Sequence, residues 1–183
     1  MTVVKETSLL IEGITSYPKA LGALNEFGRL VISTIREAVV EELGSLSTAV
    51  GLRLTENDLG DYLRPNRLGS FDPKNVSVGV KVDRISESGW SLYFVLFWSK
   101  GGASLSVSIW LKDGDVAKSA FTAFQKGPSK GILLDAGREI YISRALVPEA
   151  AEHLSVILRE LIGDFSKFWT KAGGLPKFLK PKA

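Results

Sequence analysis

Two periods divide the chain. From Pro18 onward, Leu21, Leu24, Phe27, Leu30, Val31, Ile35, Ala38, Val39, Leu43, Leu46 and Val50 recur every three or four residues. That is the stripe of an amphipathic helix. Pro18 suits its first turn and Gly51 its end. Gly22, Gly28 and Gly44 fall inside it and predict close packing or a break near Gly44. Residues 52–75 hold turn residues (Pro65-Asn66, Gly69, Asp72-Pro73) and no sustained period. They predict a long connection with room for a short helix over Glu56–Leu63.

At Val76 the period becomes two. Val76, Val78, Val80 and Val82 alternate with Ser77, Gly79, Lys81 and Asp83, as in a strand with one buried face. Trp90, Leu92, Phe94, Leu96 and Trp98 make one face of the next strand, and Ser91, Tyr93, Val95, Phe97 and Ser99 the other. Lys100-Gly101-Gly102-Ala103 predicts a two-residue hairpin loop at the glycine pair. That register sets Trp98 opposite Leu105, Leu96 opposite Val107, Phe94 opposite Ile109 and Tyr93 opposite Trp110. Asp113-Gly114-Asp115 closes the third strand, with Asp115 capping a helix through about Gln125. Ile132–Leu134 and Glu139–Ser143 form a small hairpin around Asp135-Ala136-Gly137. Pro148 then opens a long helix whose stripe runs from Leu154 to Trp169 and Ala172, stopped by Gly173-Gly174.

The expected fold class is therefore α+β, in the order α-βββ-α-ββ-α. It has a mainly antiparallel sheet of about five strands against long N- and C-terminal helices. Residues 1–174 read as a single domain and 175–183 as a flexible basic tail. The order resembles that of the type III secretion chaperone-like group, which includes the bacterial YbjN-type proteins. The stretch most similar to them is Gly131-Ile132-Leu133-Leu134-Asp135-Ala136-Gly137-Arg138-Glu139-Ile140-Tyr141-Ile142, followed by a helix ending near Phe165-Ser166-Lys167-Phe168-Trp169. The resemblance spans roughly residues 76–172. It implies a non-enzymatic, commonly homodimeric protein that binds protein segments. The longer first helix, the 52–75 connection and the lysine tail depart from that group.

Composition narrows the chemistry. The 183 residues contain no cysteine and one histidine, His153. Thiol nucleophiles, thiolate zinc sites and sites with two or more imidazoles are thereby excluded. His153 reads as a boundary residue of the last helix. The longest uncharged apolar run, Ser88 to Ser99, is far below the roughly 20 residues of a membrane span, and no export signal is visible. The reading is an intracellular, cytoplasmic protein with no membrane partner. The net charge of +3 lies in the tail: five lysines from Lys167 onward face no acid, and the other 18 cations and 20 acids leave residues 1–166 at −2.

Asp113 and Asp115 could hold a cation, but a turn with a helix cap explains them better. Asp72-Pro73-Lys74 resembles a nuclease acid-x-Lys piece interrupted by proline. No cofactor motif and no metal set is present. Arg64, Arg67, Lys177, Lys180 and Lys182 are possible anion contacts. The strongest signal is the second face of the sheet. With Trp90, Leu92, Phe94, Leu96 and Trp98 under the helices, Tyr93, Val95, Phe97 and Trp110 point the other way among small residues. They must be covered by the N-terminal helix or by another chain. The expected function is a non-catalytic protein-binding module, chaperone-like or regulatory and homodimeric, without cofactor. The alternatives are a metal-dependent enzyme using Asp83, Asp113 and Asp115, or a nucleic-acid binder using the lysine tail.

Overall fold

The computed structural model describes residues 26–64, 76–99, 102–125, 131–146 and 153–179. Residues 26–41 form α1, and Leu43–Val50 form α2. The break between them falls at Glu42. An added Cβ on Gly28 or Gly44 would meet nothing, so close packing does not account for either glycine. Val31, Ile35, Ala38 and Val39 of α1 and Leu46, Ala49 and Val50 of α2 are buried, as the stripe requires. Gly51 ends α2 in the left-handed conformation (φ 67°), its N–H donating to the Ser47 carbonyl. The start of the stripe, 18–25, lies outside the described residues.

Six strands follow: β1 (Leu59–Arg64), β2 (Val76–Arg84), β3 (Trp90–Ser99), β4 (Gly102–Leu111), β5 (Ile132–Asp135) and β6 (Glu139–Ala145). They make one sheet in the order β1-β2-β3-β4-β6-β5, antiparallel at every pairing. Helix α3 (Gly114–Gln125) joins β4 to β5, and α4 (Leu154–Lys171) follows β6.

The expected five strands are six, because the segment read as a connection contains β1. A 3₁₀ turn over Glu56–Asp58 leads directly into it in place of the short helix. Leu59 of β1 is buried on the helix-covered side, opposite Val82. The next position on that side is Asp61, whose carboxylate takes a hydrogen bond from Arg36 of α1 at 2.7 Å. Arg36 also donates to the Leu59 carbonyl at 3.1 Å. A charge where alternation calls for an apolar residue hides the strand. It also discourages further pairing along this outer edge.

The β3–β4 register is the second correction. Ser99 pairs with Gly102, Trp98 with Ala103, Leu96 with Leu105, Phe94 with Val107 and Tyr93 with Ser108. The pairing runs to Ser99–Gly102, so each β4 partner stands two residues from the one that a glycine-pair loop would give it. A slip of two keeps every side chain on its own face, so apolar alternation supports both registers equally.

The helix-covered face collects Val78, Val80, Val82, Trp90, Leu92, Phe94, Leu96, Leu105, Val107, Ile109, Leu111, Ile140 and Ile142 in one cluster with all four helices. From α4 it receives Leu158, Leu161, Ile162, Phe165 and Trp169, all at most 1% exposed. Helix α1 reaches α4 at its rim through Arg159 and Glu41, 2.6 Å apart.

One cap differs from expectation. Helix α3 is capped by Asp113, whose Oδ1 accepts from the N–H groups of Asp115 (2.9 Å) and Val116 (3.3 Å). Asp115 itself is exposed, 3.9 Å from Lys118. His153 occupies the N-cap of α4 without a side-chain cap bond. In the β5–β6 turn Arg138 N–H donates to the Asp135 carbonyl. Ala136 (φ 46°) and Gly137 (φ 68°) are both left-handed there, as a primed turn requires.

The chain beyond α4 is docked as well. Leu175–Lys177 form a 3₁₀ turn, Leu175 is completely buried, and Phe178 and Leu179 pack on the core. The flexible tail expected from Leu175 is therefore part of the folded body as far as Leu179, because its three large apolar side chains find a seat. Residues 180–183 lie outside the described residues.

One charged network fastens the β2–β3 turn. Arg84 binds Asp58 through one guanidinium nitrogen and Glu87 through another at 3.1 Å. The Thr55 amide, donating to Asp58, holds its carboxyl below the usual 3.8, with Arg84 contributing. A carboxyl whose folded pKa is depressed stabilises fully above its unfolded value and loses that contribution as pH falls through the folded value. Urea midpoints are accordingly expected to drop below pH 4, with a shallower acid limb in Asp58→Asn; identical limbs in the two proteins would overturn this.

Candidate binding face

All four described helices lie on one side of the sheet; on the other side Ser77, Ser91, Val95 and Ser108 are buried, while Tyr93, Phe97, Trp110 and Tyr141 are partly exposed. Over its described residues, 26–41, helix α1 packs with α4 and joins the core cluster on the other side of the sheet from Tyr93, Val95, Phe97 and Trp110.

The ladder pairings lay out the open side row by row. One row holds Ser77, Phe97 and Ser104. The next runs Tyr62, Gly79, Val95, Ser106 and Ser143. The third runs Gly60, Lys81, Tyr93, Ser108, Tyr141 and Leu133, and the last Asp83, Ser91, Trp110, Glu139 and Asp135. Strand β4 thus contributes a floor of Ser104, Ser106 and Ser108. Tyr93 and Phe97 rise on its β3 side, and Tyr141 with the half-exposed Leu133 on its β6 side. Trp110 sits diagonally to Tyr93 instead of opposite it, a consequence of the two-residue register shift.

The rings are fixed by their neighbours. Tyr62 meets Tyr93 edge-on, centroids 5.1 Å apart at 67°. The Arg138 guanidinium lies over the Trp110 ring at 5.8 Å, a cation–π contact. Ser106 donates to the Ile142 carbonyl at 3.4 Å. Lys81 and Asp83 pair at 3.0 Å, and Asp83 also accepts from the Ser91 hydroxyl and the Ile85 amide. The Lys81 hydrogen bond is the first cause holding Asp83 low, and the same bond raises Lys81. Burial pushes the Tyr93 phenol up. It does the same to Tyr141, helped by the carboxylates of Asp135 and Glu139.

Rigid amphipathic rings interleaved with small hydroxyls form a contact surface that loses little side-chain entropy on binding. The charged groups of the face, the paired Lys81 and Asp83 together with Glu139 and Asp135, lie in its last two rows.

The other candidate residues are not brought to this face as one set. Asp113 and Asp115 line a separate recess of about 340 Å³ with Lys118 and Arg138, and Asp83 is not in its wall. Among the described residues no group of three or more His, Cys, Asp or Glu is placed to hold a metal ion. Arg64 ends β1 and Lys177 is exposed beside Phe178, its Nζ 5.9 Å from the ring. Arg67, Lys74, Lys180 and Lys182 lie outside the described residues. No described helix is long and apolar enough to cross a membrane.

Tyr62, Tyr141 and Leu133 belong to the face and were not anticipated there. Tyr141 was legible: it alternates with Ile140 and Ile142, both buried. Tyr62 was not, because its strand was hidden. Comparison with protein families, with curated proteins and with solved structures returns no match to this chain.

Proposed function

We propose that this protein is a non-catalytic intracellular binding module that works as a homodimer, the open sheet face of one copy meeting that of a second. The observation that carries this reading is the grouping of Tyr62, Tyr93, Val95, Phe97, Trp110, Tyr141 and Leu133 on the side of the sheet that no described helix covers. Aromatic residues with few charges mark the centres of protein interfaces. The charge pattern favours a protein over a phosphate backbone. Lys81, in the middle of the face, is neutralised by Asp83, whereas a nucleic-acid groove presents free cations along its length.

The test is the mass in solution. Light scattering on the full chain is expected to give a dimer. Trp110→Ala is expected to weaken association by about 2 kcal/mol, roughly thirtyfold in Kd, as truncation of an aromatic anchor does. A wild-type monomer at high concentration rejects the homodimer.

A further inference from the structure

The end of α4 carries a second arrangement that the sheet face does not explain. Gly173 (φ 96°) and Gly174 (φ 80°) reverse the chain, which then lays Leu175–Leu179 back over the body. Leu175 is fully buried, and Gly174 runs close to the Thr48 and Ala49 carbonyls of α2. Pro176 sits against Gly51, where a Cβ would collide with the proline ring. Phe178 stands edge-on to Trp169 at 6.0 Å, and Trp169 meets Phe124 of α3 edge-on at 4.9 Å. Phe178 and Leu179 then form one wall of a cleft of about 1140 Å³, with Ile85, Leu111 and Val116 on the other sides.

Two details separate this seat from ordinary core packing. The amides of Lys177, Phe178 and Leu179 donate only to Gly174 and Leu175. Among the described residues, the segment's backbone has no hydrogen bond to α2, α3 or the sheet. Its side chains alone hold it, so lifting it away breaks no ladder. On α4, Trp169, against which Phe178 packs, has its Nε1 buried without a hydrogen-bond partner, and so does Ser166 with its Oγ. Buried polar atoms of this kind are ordinarily satisfied.

We infer that the seat between α2, α3 and α4 is a peptide-binding site, occupied in cis by Leu175–Leu179 as a displaceable strap. Its ligand is a short peptide of the strap's own pattern: a leucine, a proline turn and an aromatic three residues after the leucine. Gly173-Gly174 is the hinge, since both residues adopt left-handed angles that glycine leaves and regains at little cost. An external peptide competes with the tethered one, whose local concentration is high, and binds well only when the strap is loosened. The site is independent of the sheet face.

The experiment titrates the full-length protein into a fluorescein-labelled synthetic peptide of residues 174–183, followed by anisotropy. Phe178→Ala loosens the strap and is expected to bind the peptide at least tenfold tighter than wild type. Unlabelled peptide should compete, and a peptide with serine at both anchors should not bind. If Phe178→Ala loses its cooperative melt, Leu179→Ala, a smaller change at a half-buried position, takes its place. A loosened variant that melts cooperatively yet binds no tighter than wild type overturns the strap. Trp110→Ala should leave peptide binding unchanged, and a change there would move the site to the sheet face and equally overturn it.

Discussion

Gly79→Ala is expected to destabilise the protein by about 3 kcal/mol, at the upper end of what overpacking costs. Gly79 lies in β2 between Tyr62 and Val95, and an added Cβ would come closer than 3.0 Å to the Phe94 carbonyl oxygen. The obstacle is backbone, so no rotamer change relieves it. Strands β2 and β3 must move apart in the middle of the sheet, with Val80, Phe94 and their covering helices attached. For a chain of this size the loss corresponds to a fall of about 6–12 °C in Tm. Thermal and urea denaturation read it, with Gly28→Ala as the comparison, since a Cβ at Gly28 meets nothing. Near-equal melts for the two variants would refute the close approach.

Leu175→Ala should cost a similar amount, about 3 kcal/mol, because removing a fully buried leucine side chain loses its transfer energy and leaves a cavity. Deletion of residues 175–183 should cost more, since it also uncovers Trp169. The loss is apolar in origin and should persist at high salt. A purely electrostatic role of Lys177, Lys180 and Lys182 would instead fade with ionic strength. Truncation that leaves Tm unchanged would return the segment to the status of a solvated tail.

How far the chain could be read follows from which patterns have a unique structural meaning. The stripe from Leu158 to Trp169 and the alternation through Trp90–Leu96 each have one, and both elements stand where those patterns put them. The β3–β4 register did not, because a shift of two pairs Leu96 with Leu105 as comfortably as with Val107. Strand β1 was concealed by Asp61, a tertiary partner of Arg36 that no local window contains. The C-terminal segment was misread for a related reason. Its three lysines read as a solvated tail, while Leu175, Phe178 and Leu179 acquire a seat only when α2 and α3 have been assembled around Trp169. Of the candidate face, Tyr93, Val95, Phe97 and Trp110 were legible from parity alone. Tyr62 depended on the hidden strand.

The strand order β4-β6-β5 sets a timetable for the growing chain. Strand β4 is complete at Leu111, but the neighbour that closes its outer edge, β6, ends at Ala145. At typical synthesis rates that interval of 34 residues lasts roughly 2–7 seconds. Throughout it, a strand carrying Leu105, Val107 and Ile109 offers unpaired backbone groups to any passing extended chain. The finished protein has β5 at that end of the sheet, only four residues long and backed by α3. Its greatest exposure to aggregation therefore belongs to the nascent chain, and substitutions that delay β6 should reduce recovery of folded protein even where they leave its melting temperature intact.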